Sequence, residues 1–162
     1  MKKSTASRRF RTSKPGYGPS SSPRIKLVTV EQRPSTQVTT RVDTEHDVAM
    51  LARQLLATKD REHFVVLHLD GSHQLASFET AFIGSLTQCP VHPREVFKAA
   101  ILANAKSIIC IHNHPSGDTS PSSADHTVFD TLREAGQLLG IPLLDFLIVS
   151  SSSHWAAKGT WF

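Results

Sequence analysis

Ser107-Ile108-Ile109-Cys110-Ile111-His112-Asn113-His114-Pro115-Ser116-Gly117-Asp118, followed by Ser122-Ser123-Ala124-Asp125, is the stretch on which the reading of this chain turns. Ser107 to Ile111 is a continuous apolar run of strand length, suited to the middle of a sheet. Two histidines two residues apart leave its end, and residues i and i+2 of a strand share a face. Pro115, Ser116 and Gly117 supply turn chemistry, so the chain can fold back to a helix that begins near Ser122. An aspartate eleven residues after His114 can then close a metal site with the histidine pair. Two imidazole nitrogens, one carboxylate oxygen and an open fourth position describe a hydrolytic zinc centre rather than a structural one. Ser122-x-x-Asp125 has a second reading, as a helix N-capping pair with its acid in the favourable first turn. The two readings coexist if the cap fixes the helix end that presents the ligand.

Outward from this segment, helical and strand patterns alternate. Upstream, Pro93 reads as the first residue of a helix running through Val96, Phe97, Ala100, Ile101 and Ala103. Earlier still, Thr44 with Asp47 resembles an N-cap pair, and Val48, Leu51, Leu55 and Leu56 recur at helical spacing, with an end near Thr58. Phe64 to Leu69 reads as a strand, Asp70-Gly71 as a hairpin turn and Gln74 to Thr80 as the return strand. A separate short strand is expected near Ala81 to Leu86. Downstream, Val128, Leu132, Ala135 and Leu139 mark one face of a third helix ending at Gly140. Leu143 to Val149 follows as a strand and His154 to Phe162 as a last edge strand. The fold class is α/β, an α+β mixed sheet flanked by helices.

The chain has 162 residues and a formal charge of +4, which hides a division. Residues 1–36 hold nine Lys/Arg against the single acid Glu31, a net of +8, while the remainder nets −4. The domain reading is therefore a basic, disordered tail over 1–36 and a folded domain over 37–162, with Val28 and Val30 able to add a short strand. A basic tail invites contact with nucleic acid, although a merely solvated tail has the same composition. Two cysteines, Cys89 and Cys110, lack any C-x-x-C spacing, which points to a reducing, cytoplasmic setting and no disulfide framework. No run approaches a membrane span and no apolar stretch follows the basic N-terminus as a signal peptide requires. Cys110 lies on the strand face of His112, where a small buried residue is expected rather than a fourth ligand.

His112-x-His114-Pro115, six residues, Ser122, two residues, Asp125 resembles the JAMM motif of the JAB/MPN metalloprotease superfamily. Together with Val91-His92-Pro93-Arg94-Glu95-Val96-Phe97-Lys98, the run His-Asn-His-Pro-Ser-Gly-Asp resembles the RadC family more narrowly, the likeness extending from about Val42 to Val149. The resemblance implies a JAB/MPN fold of the cytidine-deaminase-like kind and one Zn2+ per chain, held by His112, His114 and Asp125. It further implies an upstream glutamate as general base, for which Glu62 stands in the right place and Glu79 and Glu95 are rivals. Ser122 is implied as the donor to an oxyanion. The activity implied is that of a zinc metallopeptidase or isopeptidase acting on a peptide or protein substrate. A non-catalytic, DNA-associated role is the alternative. A deaminase is disfavoured, because its H-x-E and P-C-x-x-C signature is missing. Longer members of the family carry an N-terminal helical region where this chain has its basic tail. Asp145-Phe146 also departs from the Asp-His pair common near the last core strand, which puts a histidine's supporting role there in doubt.

Overall fold

The computed structural model describes residues 41–56, 58–84 and 91–157. The tail and its candidate strand at Val28–Val30 lie outside these residues, as do the chain's last five. Three helices and five strands follow one another as α1 (Glu45–Leu56), β1 (His63–Leu69), β2 (Leu75–Ile83), α2 (Pro93–Leu102), β3 (Ser107–Asn113), α3 (Ser123–Leu139), β4 (Leu143–Val149) and β5 (His154–Ala156). The strands form one mixed sheet in the order β2-β1-β3-β4-β5. β3 runs antiparallel to β1 and parallel to β4, so α3 is the crossover that a parallel pair requires.

Strand parity divides the core into two layers. Val65, Leu67, Ile109, Ile111, Leu147 and Val149 face α1, which covers them with Val48, Leu51, Ala52 and Leu56. Phe64, Val66, Ile108, Cys110, Phe146 and Ile148 face the other way, against Val96, Phe97 and Ala100 of α2 and Leu132 of α3. Both faces of β1 and β3 are thus covered, which is why these strands are buried throughout rather than alternating. Cys110 is fully buried in the second layer, and burial pushes its thiol pKa up, so it is a packing residue.

The helix starts follow their capping residues. Asp47 Oδ2 accepts from the Thr44 amide at 2.9 Å and hydroxyl at 2.8 Å. His92 caps α2, its Nδ1 accepting from the Arg94 amide at 3.3 Å, with Pro93 at the first helical position. α3 ends at Gly140, whose φ of 70° is the left-handed conformation that glycine adopts without a Cβ clash.

Four local expectations are corrected. Ala81–Ile83 is not a separate strand but the continuation of β2, which passes an irregularity opposite Phe64/Val65 and keeps pairing to Ile83. β3 does not stop at Ile111: ladder bonds to β1 and β4 carry it through His112 and Asn113. α1 ends at Leu56, slightly short of Thr58. Leu139 does not join the buried face of α3 and is 46% exposed; Gly136 is buried instead.

Candidate metal centre

His112 is the penultimate residue of β3 and, like Cys110 two positions earlier, faces the α3 side of the sheet. Its ring packs edge-on to Phe64 at 6.2 Å and to the His114 ring at 4.7 Å. His114 follows the strand end, its amide still bonded to the Val149 carbonyl at 3.2 Å. Asp125 arrives from the first turn of α3. Its Oδ1 lies 3.9 Å from His112 Nε2 and its Oδ2 lies 3.9 Å from His114 Nε2. These separations are too long for hydrogen bonds. Each imidazole Nε2 thus faces an Asp125 oxygen without hydrogen-bonding to it.

The protonation state of His112 suits metal ligation. Burial, aided by the neighbouring His114, lowers the His112 pKa to about 4, against an opposing pull from Asp125. The ring is therefore neutral at pH 7 and free to donate a lone pair. His114 Nδ1 lies 2.7 Å from the Asp118 carbonyl oxygen. Only a protonated nitrogen can face a carbonyl at that distance, so Nδ1 is the donor and Nε2 is the atom turned toward Asp125. The turn at Pro115–Asp118 thereby orients the second histidine, with Gly117 at a φ of 88°.

Ser122 and Asp125 form a reciprocal capping box. Asp125 Oδ2 accepts from the Ser122 amide at 2.7 Å and hydroxyl at 2.6 Å, while the Asp125 amide donates back to Ser122 Oγ at 3.2 Å. The cap and the candidate ligand are one carboxylate. Its two bonds to Ser122 load Oδ2 and leave Oδ1 to face His112. The Ser122 hydroxyl proton is engaged by this carboxylate.

Glu62 also comes to the centre. Its carboxylate and one nitrogen of each of His112 and His114 lie within 4.8 Å of one another, a grouping able to hold a metal ion. Neither rival glutamate joins that group. Glu79 sits on β2 opposite Val66, its carboxyl pushed up by burial and flanked by Lys98 and Glu95. Glu95 is paired with Lys98 and Arg94.

The residue that places Glu62 is one whose role the spacing of the motif did not suggest. Asn113 points to the opposite side of β3 from His112 and is almost fully buried. Its Oδ1 accepts from the His63 amide at 2.7 Å, and its Nδ2 donates to the Arg61 carbonyl at 3.0 Å. The backbone is thus held on both sides of Glu62 by the side chain between the two histidines. A third bond, from the Gly84 amide to the Glu62 carbonyl at 2.9 Å, fixes the same segment from β2's end. A usable signal was present in the sequence: a polar side chain facing away from the histidine pair at a buried strand end must find partners.

A mixed sheet between helices, with a histidine pair leaving its central strand and a carboxylate on the next helix, defines a JAB domain of the JAB/MPN superfamily. The RadC-like JAB domain model matches residues 42–160, so the chain belongs to the RadC family. A UPF0758 protein of Shouchella clausii is 43% identical over 131 residues, 81% of this chain and 57% of the relative. One of Chlorobaculum tepidum is 40% identical over 147 residues, covering 89% and 66%. One of Methanosarcina mazei is 40% identical over 122 residues, covering 75% and 53%. The chain thus spans between about half and two thirds of the length of these relatives, whose names state no activity. No helix among the described residues is long and apolar enough to cross a membrane.

Proposed function

We propose that the chain is a zinc-dependent hydrolase that cleaves an amide bond in a peptide or protein, as a metallopeptidase or isopeptidase. The observation that carries this reading is the grouping of Glu62 with His112 and His114, outside which Asp125 sets one oxygen 3.9 Å from each imidazole Nε2. The set is two imidazoles and a carboxylate, the donors zinc prefers, with fewer protein ligands than a closed structural site has. Bound there, one zinc per chain would supply Lewis acidity toward a carbonyl and water acidified to a pKa of about 7.

The chain's own residues divide the remaining work. His112, His114 and Asp125 hold the ion, with the Asp118 carbonyl and Ser122 fixing the orientation of two of them. Glu62 is the general base: it accepts a proton from the attacking water and returns it to the leaving amine nitrogen. Ser122 donates to the developing oxyanion. Because its hydroxyl is bonded to Asp125 Oδ2, it does so by exchanging that acceptor as negative charge builds on the substrate. Asn113 keeps the Glu62 backbone in register with the histidines.

The test is Glu62→Gln against a panel of peptide- and isopeptide-linked substrates, with zinc content measured in parallel. Zinc retained with turnover lost supports the assignment; unchanged turnover removes Glu62 from the role. A second reading rests on the net charge of +8 over residues 1–36. We propose that this segment is a cytoplasmic nucleic-acid contact accessory to the domain. Deleting it should abolish DNA retention while leaving hydrolysis intact, and the binding should weaken steeply with salt.

A further inference from the structure

Arg53 of α1 and Lys59 of the loop after it share a cavity of about 120 Å3 with His114. Gly117 and the Ser150–Ser151 turn form its far side. The cavity opens where the parallel strands β3 and β4 end, the crevice at which open α/β sheets receive ligands. It lies on the α1 side of the sheet, whereas His112 and Asp125 lie on the α3 side. His114 belongs to both places: the residue lines the cavity, and its Nε2 faces Asp125.

The charge of this cavity is one-sided. Two cations line it and no carboxylate does. Among the described residues, neither Arg53 nor Lys59 has an acid within ion-pair distance, in contrast to Arg41, Arg94, Lys98 and Arg133. Arg53 Nη2 lies 3.3 Å from His154 Nδ1, and His154 Nε2 lies 2.7 Å from Glu45 Oε1. The ring therefore donates to Glu45 through Nε2 and accepts from Arg53 through Nδ1, so the acid reaches the guanidinium only through an imidazole. This relay holds Arg53 in place and leaves its charge unpaired. Arg53 Nε is enclosed and has no acceptor among the described residues. An oxyanion in the cavity would meet the two unpaired cations and gain charge-assisted bonds from them. The C-terminal end of α1 opposes this with a partial negative charge of about one half, smaller than the two full cations.

We propose that the cavity holds a carboxylate of the molecule presented to the metal centre. This rests on the hydrolase reading for its purpose, though not for its chemistry. It narrows the substrate class to amides that carry a free carboxylate near the bond to be cut, as at the end of a peptide chain. Arg53 and Lys59 are binding residues in this account, and neither touches the reacting atoms.

The probes are N-acetylglycine and N-acetylglycinamide, alike except for the charge, titrated into the 15N-labelled full chain with zinc present and again with chelator. N-acetylglycine should produce saturable shifts at the Gly117, Ser150 and Ser151 amides under both conditions, and the neutral amide should not. Lys59→Gln, an exposed change, and Arg53→Gln, with its fold verified by the spectrum, should each weaken binding about tenfold. Equal shifts from both probes overturn the proposal, as does binding indifferent to both substitutions. Binding seen only with zinc overturns it too, since the carboxylate would then sit on the ion. Inorganic phosphate binding more tightly at the same amides overturns the carboxylate assignment. A chain that holds no zinc yet binds N-acetylglycine through Arg53 and Lys59 would sink the hydrolase reading while leaving the subsite standing.

Discussion

Replacing Asn113 with Ala removes the clamp around Glu62, and the size of the effect follows from its two hydrogen bonds. The His63 amide is buried and donates at 2.7 Å; the Arg61 carbonyl is partly buried and accepts at 3.0 Å. Truncation strands both groups. A buried donor left without a partner costs about 1–3 kcal/mol, and a carbonyl that water can reach costs less, so Asn113→Ala should destabilise the fold by about 2–3 kcal/mol. Locally, the 61–63 segment should open more easily, raising hydrogen exchange at the His63 amide by about one to two orders of magnitude. Asn113→Asp separates the two bonds: it keeps the acceptor for His63 and turns the donor facing Arg61 into an acceptor. Its His63 amide should stay largely protected, whereas Asn113→Ala should lose that protection. Urea unfolding gives the stability and amide exchange followed by NMR gives the local opening. A loss below about 0.5 kcal/mol with His63 still protected in Asn113→Ala would refute the reasoning, since an unsatisfied buried donor cannot be that cheap.

Two further predictions concern the scaffold. His68 is buried in β1 with Nδ1 2.8 Å from the Ser77 hydroxyl and Nε2 enclosed without a partner among the described residues, and burial lowers its pKa from 6.5 to about 4. The native state keeps the ring neutral while the unfolded chain protonates it, so its contribution is intact above pH 6.5 and is lost as pH falls toward 4. Between pH 7 and pH 5 the wild type should lose about 2 kcal/mol more than His68→Gln does, read from urea midpoints at the two pH values; equal losses would contradict it. Gly136 in α3 packs so closely on the following turn that an added Cβ would lie 2.6 Å from the Ile141 carbonyl oxygen and 3.2 Å from the Leu143 amide nitrogen. Alanine's helix preference of about 1 kcal/mol should be outweighed, and Gly136→Ala should lower the melting temperature; a rise would show that the turn yields freely.

Much of this architecture is legible from local chemistry. Thr44/Asp47, His92-Pro93, Ser122/Asp125 and Gly140 each mark a helix end by satisfying or stopping the backbone there, and each such signal involves only neighbours in sequence. Ile108 to Ile111 reveals the buried central strand because both of its faces are covered. Where pattern and structure part, pairing partners decide. His112 and Asn113 break the apolar run, yet they remain in the sheet because β4 pairs with both and β1 with His112. Ala81–Ile83 stays in β2 because β1 continues beside it as far as His63. Leu139 keeps the helical period but is left exposed. Spacing proposed the histidine pair with Asp125, and family likeness proposed Glu62; the fold brings Glu62 together with the two histidines and leaves Asp125 outside that grouping. The function of Asn113 depends on His63 lying across from it through the register of β1 on β3, a long-range fact that no local pattern contains.

The most direct measurement of the central claim is zinc content per chain, in the wild type and in Asp125→Ala, after purification without added metal. The account predicts about one zinc per wild-type chain and a large loss in Asp125→Ala, since removing one of three protein ligands from a borderline-soft ion leaves only the histidine pair. Ser122→Ala, measured beside it, separates the capping contribution of Asp125, typically about 1 kcal/mol of stability, from its role at the metal. No zinc in the wild type, or undiminished zinc in a folded Asp125→Ala, would contradict the account.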